Sequence, residues 1–84
     1  MKELLKRLEE AEQRANEADA AWGQDPQNEE LEKAFDEAYK AQWEAFNDLA
    51  KEIQKQTGID EQTARWMTTT KYRAELKKII EKAA

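Results

Sequence analysis

The chain has 84 residues and a formal net charge of −5, with 39% of its residues charged and neither cysteine nor histidine present. That inventory, which also lacks serine, excludes disulfides, thiolate and serine nucleophiles, imidazole acid–base chemistry and the usual zinc ligand sets. A chain of this length removes only about 60–65% of its unfolded surface from water on folding, so its core is thin.

Valine is absent and Ala, Glu, Lys, Gln and Leu dominate, a composition of helix formers rather than strand formers. The expected fold class is all-α: a three-helix bundle built on a long antiparallel helical hairpin plus a C-terminal helix, forming one domain over residues 1–84. The Met1-Lys2-Glu3 start runs directly into charged helical sequence, with no apolar leader and no apolar run near the roughly 20 residues of a spanning helix. A cytoplasmic protein without a membrane partner is the expectation.

Helix one is expected over about 2–22. Leu4, Leu8, Ala11, Ala15, Ala18 and Trp22 step by four and three, which places them on one face, and the alanines allow close approach of a second helix. Glu3 with Arg7 and Glu10 with Arg14 offer i, i+4 pairs on the outer face. Gly23 suits the left-handed position after a helix, and Asp25-Pro26 suits an N-cap followed by the first helical residue.

Helix two is expected over about 26–56 with two apolar seams. Leu31, Phe35, Ala38, Ala45 and Leu49 form one, and Tyr39, Trp43, Phe46, Ala50 and Ile53 form the other, which makes this helix central. The acids Glu29, Glu30 and Glu32 fall near its positive end. Lys33 and Lys40 are spaced to pair with Glu29 and Asp36.

Thr57-Gly58-Ile59-Asp60 supplies the next stop and start, with Gly58 ending helix two and Asp60 capping helix three. Helix three is expected to run over about 60–83 through Ala64, Trp66, Met67, Tyr72, Ala74, Leu76, Ile79 and Ile80. The threonines Thr68 to Thr70 in its middle are modest helix formers that leave a kink or break open, and one continuous helix is the favoured reading.

Residues 1–50 hold six Lys/Arg against fourteen Asp/Glu, a balance of −8, while residues 51–84 hold eight against five, +3. Carboxylates, lysines, arginines, threonines and two tyrosines remain for chemistry, and no pair of acids is marked out as a hydrolytic dyad. No catalytic residue, metal site or cofactor is assigned, and the chain reads as a non-enzyme. Metal binding by helical carboxylates would lack the histidine of the Glu-x-x-His pattern, so Glu9-Glu10 and Glu29-Glu30 read as solvated acids.

Three tryptophans and two tyrosines exceed what a thin helical core requires, and such rings anchor protein interfaces. Trp22, Phe46 and Trp66 are assigned to the core; Tyr39, Trp43 and Tyr72 are assigned to an exposed patch. With Glu29, Glu30, Asp36, Glu37 and Glu44 they form the candidate partner-binding set, an acidic and aromatic face that could mimic nucleic acid phosphates and occupy a basic groove on a larger protein. Two other readings compete. In the first, Ile53 to Met67 resembles a DNA-binding helix-turn-helix, with Gln62, Thr63, Arg65, Lys71 and Arg73 as nucleic-acid contacts. Asp60 and Glu61 at the groove entrance and the net charge weigh against direct nucleic-acid binding. In the second, the Leu4–Trp22 seam pairs between chains to give a structural homo-oligomer.

The segments Trp22-Gly23-Gln24-Asp25-Pro26-Gln27-Asn28-Glu29-Glu30-Leu31 and Thr57 to Met67, in a small acidic helical chain, resemble proteins encoded by bacteriophages and other mobile elements, anti-CRISPR inhibitors among them. That resemblance implies a stoichiometric, non-catalytic inhibitor or adaptor that acts by binding, and it carries over no functional residue.

Overall fold

The computed structural model describes residues 1–83, all in helices and short turns, and the last residue of the expected domain lies outside them. In chain order come α1 (Lys2–Gln24), α2 (Glu29–Thr57), α3 (Glu61–Met67), a 3-10 turn (Thr70–Tyr72) and α4 (Arg73–Ala83). Alanine-rich seams bring α1 and α2 together as an antiparallel hairpin. Arg7 reaches Asp48 at 2.9 Å towards one end, and the Trp22 ring lies 5.3 Å from Phe35 towards the other.

The hairpin turn differs from expectation in its chemistry. Gly23 is not a left-handed stop: α1 continues through it to Gln24, and Gly58 is the one positive-φ residue among those described. The reversal is made instead by a turn over Asp25-Pro26-Gln27. The Asp25 amide donates to the Trp22 carbonyl at 3.1 Å, and the Trp22 indole donates to the Pro26 carbonyl at 3.3 Å. Asp25-Pro26 does not open α2 either. Asn28 is the N-cap, because its side-chain oxygen accepts from the Glu30 and Leu31 amides at 3.0 and 3.3 Å, while its amide donates to the Asp25 carboxylate.

At the other end of α2 the expected punctuation is present. Gly58 adopts φ 76°, and its amide donates to the Gln54 carbonyl at 2.8 Å. Asp60 then caps α3 by accepting from the Thr63 amide and hydroxyl. Those hydrogen bonds from Thr63 hold the Asp60 carboxyl below its ordinary value of 3.8. The cap therefore contributes fully above the ordinary aspartate range and is lost as pH falls through the lowered value.

The expected single third helix over 60–83 is two helices. Thr68 and Thr69 turn their hydroxyls back to the carbonyls of Arg65 and Trp66, at 2.6 and 2.7 Å, and their amides bond to the same carbonyls. These i to i−3 bonds tighten the last turn and end α3. Thr69 is then extended, at φ −70° and ψ 156°, before the chain resumes helix.

The core is aliphatic: Leu5, Leu8 and Ala11 of α1, Ala45, Leu49, Ala50 and Ile53 of α2, Ala64 of α3, and Leu76 and Ile80 of α4. Leu5, absent from the expected stripe, is buried, whereas Leu4 is only half-buried and packs at the core's edge. All these residues except Ala64 and its neighbours in α3 come from one end of the hairpin and the helix that covers it, α4. The two short helices fold back over that end only, so the other end, around the α1–α2 turn, projects as a bare pair of helices in a molecule 45 Å long and about 20 Å across.

The ion pairs also differ from the expected i, i+4 set on α1 and α2. Among the described residues the pairs are Arg7–Asp48, Glu61–Arg65, Glu12–Arg73 and Glu9–Lys77; three of the four join different helices. The two glycines give a direct test of the turn assignments. Gly23→Ala should stabilise the protein by about 0.5 kcal/mol, since a helical site with open space around it gains helix propensity. Gly58→Ala should cost about 1 kcal/mol because an L-residue is strained at its φ, and urea unfolding of the two variants measures both signs.

Candidate functional site

Helix two repeats its second seam with a spacing of seven, which keeps residues on one face. Tyr39, Phe46 and Ile53 form one row and Trp43 with Ala50 a parallel one. The lower ends of these rows, Ala50 and Ile53, are buried beneath α3. The upper ends emerge past it: Tyr39 is 49% exposed and Trp43 47%. Phe46 sits at the boundary, half-buried, with its ring 6.0 Å from Trp43 in edge contact.

Trp66 does not belong to the core to which it was assigned from the sequence. It is 55% exposed and packs against Tyr72 in a tilted contact, 4.0 Å between ring centroids. Ala64 is the buried residue of α3, and Trp66 lies two residues from it, on the opposite side of the helix. Tyr72, assigned to the exposed patch, is half-buried by this contact, with the Lys71 ammonium 6.0 Å from its ring. Trp22 is half-buried as well and begins a ring series through Phe35 to Tyr39, with centroids 5.3 and 5.9 Å apart.

All seven aromatic side chains thus lie outside the buried core, although the core contains leucine and isoleucine. Two shallow depressions connect several of them. One, of about 200 Å³, is lined by Tyr39, Gln42, Trp43 and Phe46; the next, of about 510 Å³, continues from Phe46 to Gln62, Arg65, Trp66 and Thr69. Phe46 is the shared wall, so a ring-lined strip runs from the upper part of α2 onto α3.

The acids of the candidate set do not all join that strip. Glu30, Glu37 and Glu44 are spaced by seven and form their own row, which helical geometry places about 140–180° around α2 from Tyr39. Asp36 lies on the ring side, seven residues before Trp43, and so does Glu32, seven before Tyr39. Glu29 stands at the first turn of α2, one turn before Glu32 and Lys33. The acidic and aromatic features are therefore two faces of one helix, bordered rather than merged.

The residues proposed for nucleic acid scatter. Gln62 is exposed, Thr63 is engaged in the Asp60 cap, and Arg65 pairs with Glu61 at 2.8 Å. Lys71 is exposed beside Tyr72. Arg73 is buried, with both terminal nitrogens on the Glu12 carboxylate at 2.8 and 3.2 Å, and one of them also donating to the Thr68 carbonyl at 2.8 Å. Its guanidinium contacts a phosphate only by leaving that site. The Leu4–Trp22 seam is used within the chain, against α2.

Among the described residues no group of three potential ligands is placed to hold a metal ion, and no helix is long and apolar enough to cross a membrane. Another depression, about 670 Å³ between α1 and α4, is an open trough of mixed charge lined by Lys2, Lys6 and Lys77 with Glu9 and Glu10. Comparison with protein-family models, curated proteins and solved structures returns no match.

Arg73 fixes where α4 begins and hence how far up the hairpin the fold is covered. Removing one partner of so enclosed a pair strands the other, at a cost of about 3 kcal/mol. Arg73→Ala should lose that much in urea unfolding, whereas Arg7→Ala, whose pair with Asp48 is about half exposed, should lose less than about 1 kcal/mol.

Proposed function

We propose that this protein is a non-catalytic binding module, an inhibitor or adaptor that docks on a larger cytoplasmic protein through the ring-lined strip of α2 and α3. One observation carries the reading: the seven aromatic side chains stand outside an aliphatic core, and Tyr39, Trp43 and Trp66 each expose about half of their surface. Large rings left in water forgo about 25 cal/mol of burial free energy per Å² of apolar surface, and they are the residues that dominate interface energetics when covered.

The separate row of Glu30, Glu37 and Glu44 supports a second role within the same reading. It gives the protein a negative face that raises the rate of encounter with a basic surface, such as that of a nucleic-acid-handling protein, without itself being the contact. The resemblance to phage-encoded inhibitors is compatible with that choice of partner. The helix-turn-helix reading draws less support, because Arg73 and Arg65 are already paired and Asp60 and Glu61 open α3.

The test is capture of the partner by tagged protein, compared between the parent chain and Tyr39→Ala with Trp43→Ala. The double variant should lose the partner by at least about tenfold in affinity while its unfolding midpoint stays the same, since neither ring is in the core. Undiminished capture by the double variant, or turnover of a substrate by the purified chain alone, overturns the proposal.

A further inference from the structure

One groove runs along the side of the α1–α2 hairpin, and the chain itself fills only its lower half. There, α3 and α4 lay Ala64, Leu76 and Ile80 against Leu5, Leu8, Ala50 and Ile53. The covering segment is basic: residues 61–83 hold six Lys/Arg and three Asp/Glu. Two of those cations bind carboxylates on α1, Arg73 on Glu12 and Lys77 on Glu9. A cationic helix with an aliphatic stripe is thus what already occupies this groove.

The upper half continues the same surface with the same chemistry and no occupant among the described residues. The rows that α3 buries at Ala50 and Ile53 carry on through Phe46 to Trp43 and Tyr39. Asp19 stands seven residues beyond Glu12, on the α1 face that α4 covers lower down, and it is exposed. Glu32 and Asp36 border the rings on α2 and are exposed too. Residues 15–46 hold nine Asp/Glu against two Lys, a net −7, so the rest of the chain sums to +2 of the total −5. The open length, from about residue 29 to residue 46 of α2, is about 25 Å, that of a helix of some 17 residues.

Resting on the binding-module reading, we infer that the partner element is a cationic amphipathic helix. It lies in the upper groove against Tyr39, Trp43, Phe46 and Trp66, with its lysines or arginines towards Asp19, Glu32 and Asp36. The apolar stripe supplies burial of the rings, and the flanking cations repeat what Arg73 and Lys77 do below. A second copy presenting the same face would set acids against acids, which charge repulsion disfavours.

The experiment uses the full chain and a synthetic 18-residue peptide with leucine at helical i, i+3, i+4, i+7 spacing and lysine elsewhere, followed by backbone amide and indole chemical shifts. A counterpart with glutamate in place of lysine is the control. The lysine peptide should bind one to one, with shifts centred on Tyr39, Trp43, Phe46 and Trp66, and the glutamate peptide should not bind. Glu32→Lys with Asp36→Lys should weaken binding tenfold or more, and Glu30→Lys with Glu37→Lys, on the far face, less than threefold. Equal weakening by both pairs, shifts centred on Glu30, Glu37 and Glu44, binding of both peptides or of neither, or the same shifts appearing with protein concentration alone each overturn the inference. If the peptide fails while Tyr39→Ala with Trp43→Ala still loses the captured partner, the binding-module reading stands and the occupant is of another class. If that variant keeps the partner, both fall.

Discussion

The buried Arg73 guanidinium is the constraint from which the exposed surface follows. It joins three parts of the chain: the Glu12 carboxylate of α1, the Thr68 carbonyl at the end of α3, and its own position as the first residue of α4. A charged group this enclosed is stable only where its partners are fixed, because moving it away strands a carboxylate and a carbonyl together. The break after α3 is therefore tied to one level of the hairpin. From that level α4 runs back towards the start of α1, with Lys77 against Glu9, and nothing in the described chain covers the hairpin beyond it.

That single anchoring point separates stability from surface. Below it, four helices share a core of Leu, Ile and Ala whose largest members, Leu8, Leu49, Ile53 and Leu76, are fully enclosed. Above it, two helices alone bury one face of each, and Ala15 is the only fully buried residue of that stretch. A pair of helices cannot cover rings that sit to one side of its contact, so Tyr39 and Trp43 remain in water. On the proposed reading, the projecting pair is the part of the molecule available to a partner, while the four-helix end keeps it in place.

Much of the fold was legible in the residues. The seams of helix two, the Gly58 stop and the Asp60 cap each depend on local chemistry, and each appears where spacing and residue type put it. Gly23 misled because a glycine is permitted in the left-handed region but not obliged to occupy it; the Trp22 indole and Asn28 made the turn without it. The threonines signalled weak helix and left a break open, but one continuous helix was preferred. The stop is made by both hydroxyls and both amides returning to carbonyls three residues back, which weak helix propensity alone does not specify. Trp66 was assigned inward, whereas its place two residues from the buried Ala64 turns it to the other side of α3. Arg73 stood as one of several cations in the C-terminal segment, and no local pattern distinguishes the one that meets Glu12 across 61 residues of sequence.

The central claim is that the rings lie outside the packed core, and single-tryptophan variants retaining Trp43 or Trp66, with phenylalanine at the other two positions, test it most directly. In the isolated protein both indoles should emit at the long wavelengths of a hydrated ring and be quenched readily by acrylamide, more slowly than free tryptophan in keeping with their half exposure. Short-wavelength emission with strong protection at either position would mean that the rings are enclosed, and the account of an aliphatic core with an aromatic exterior would be contradicted.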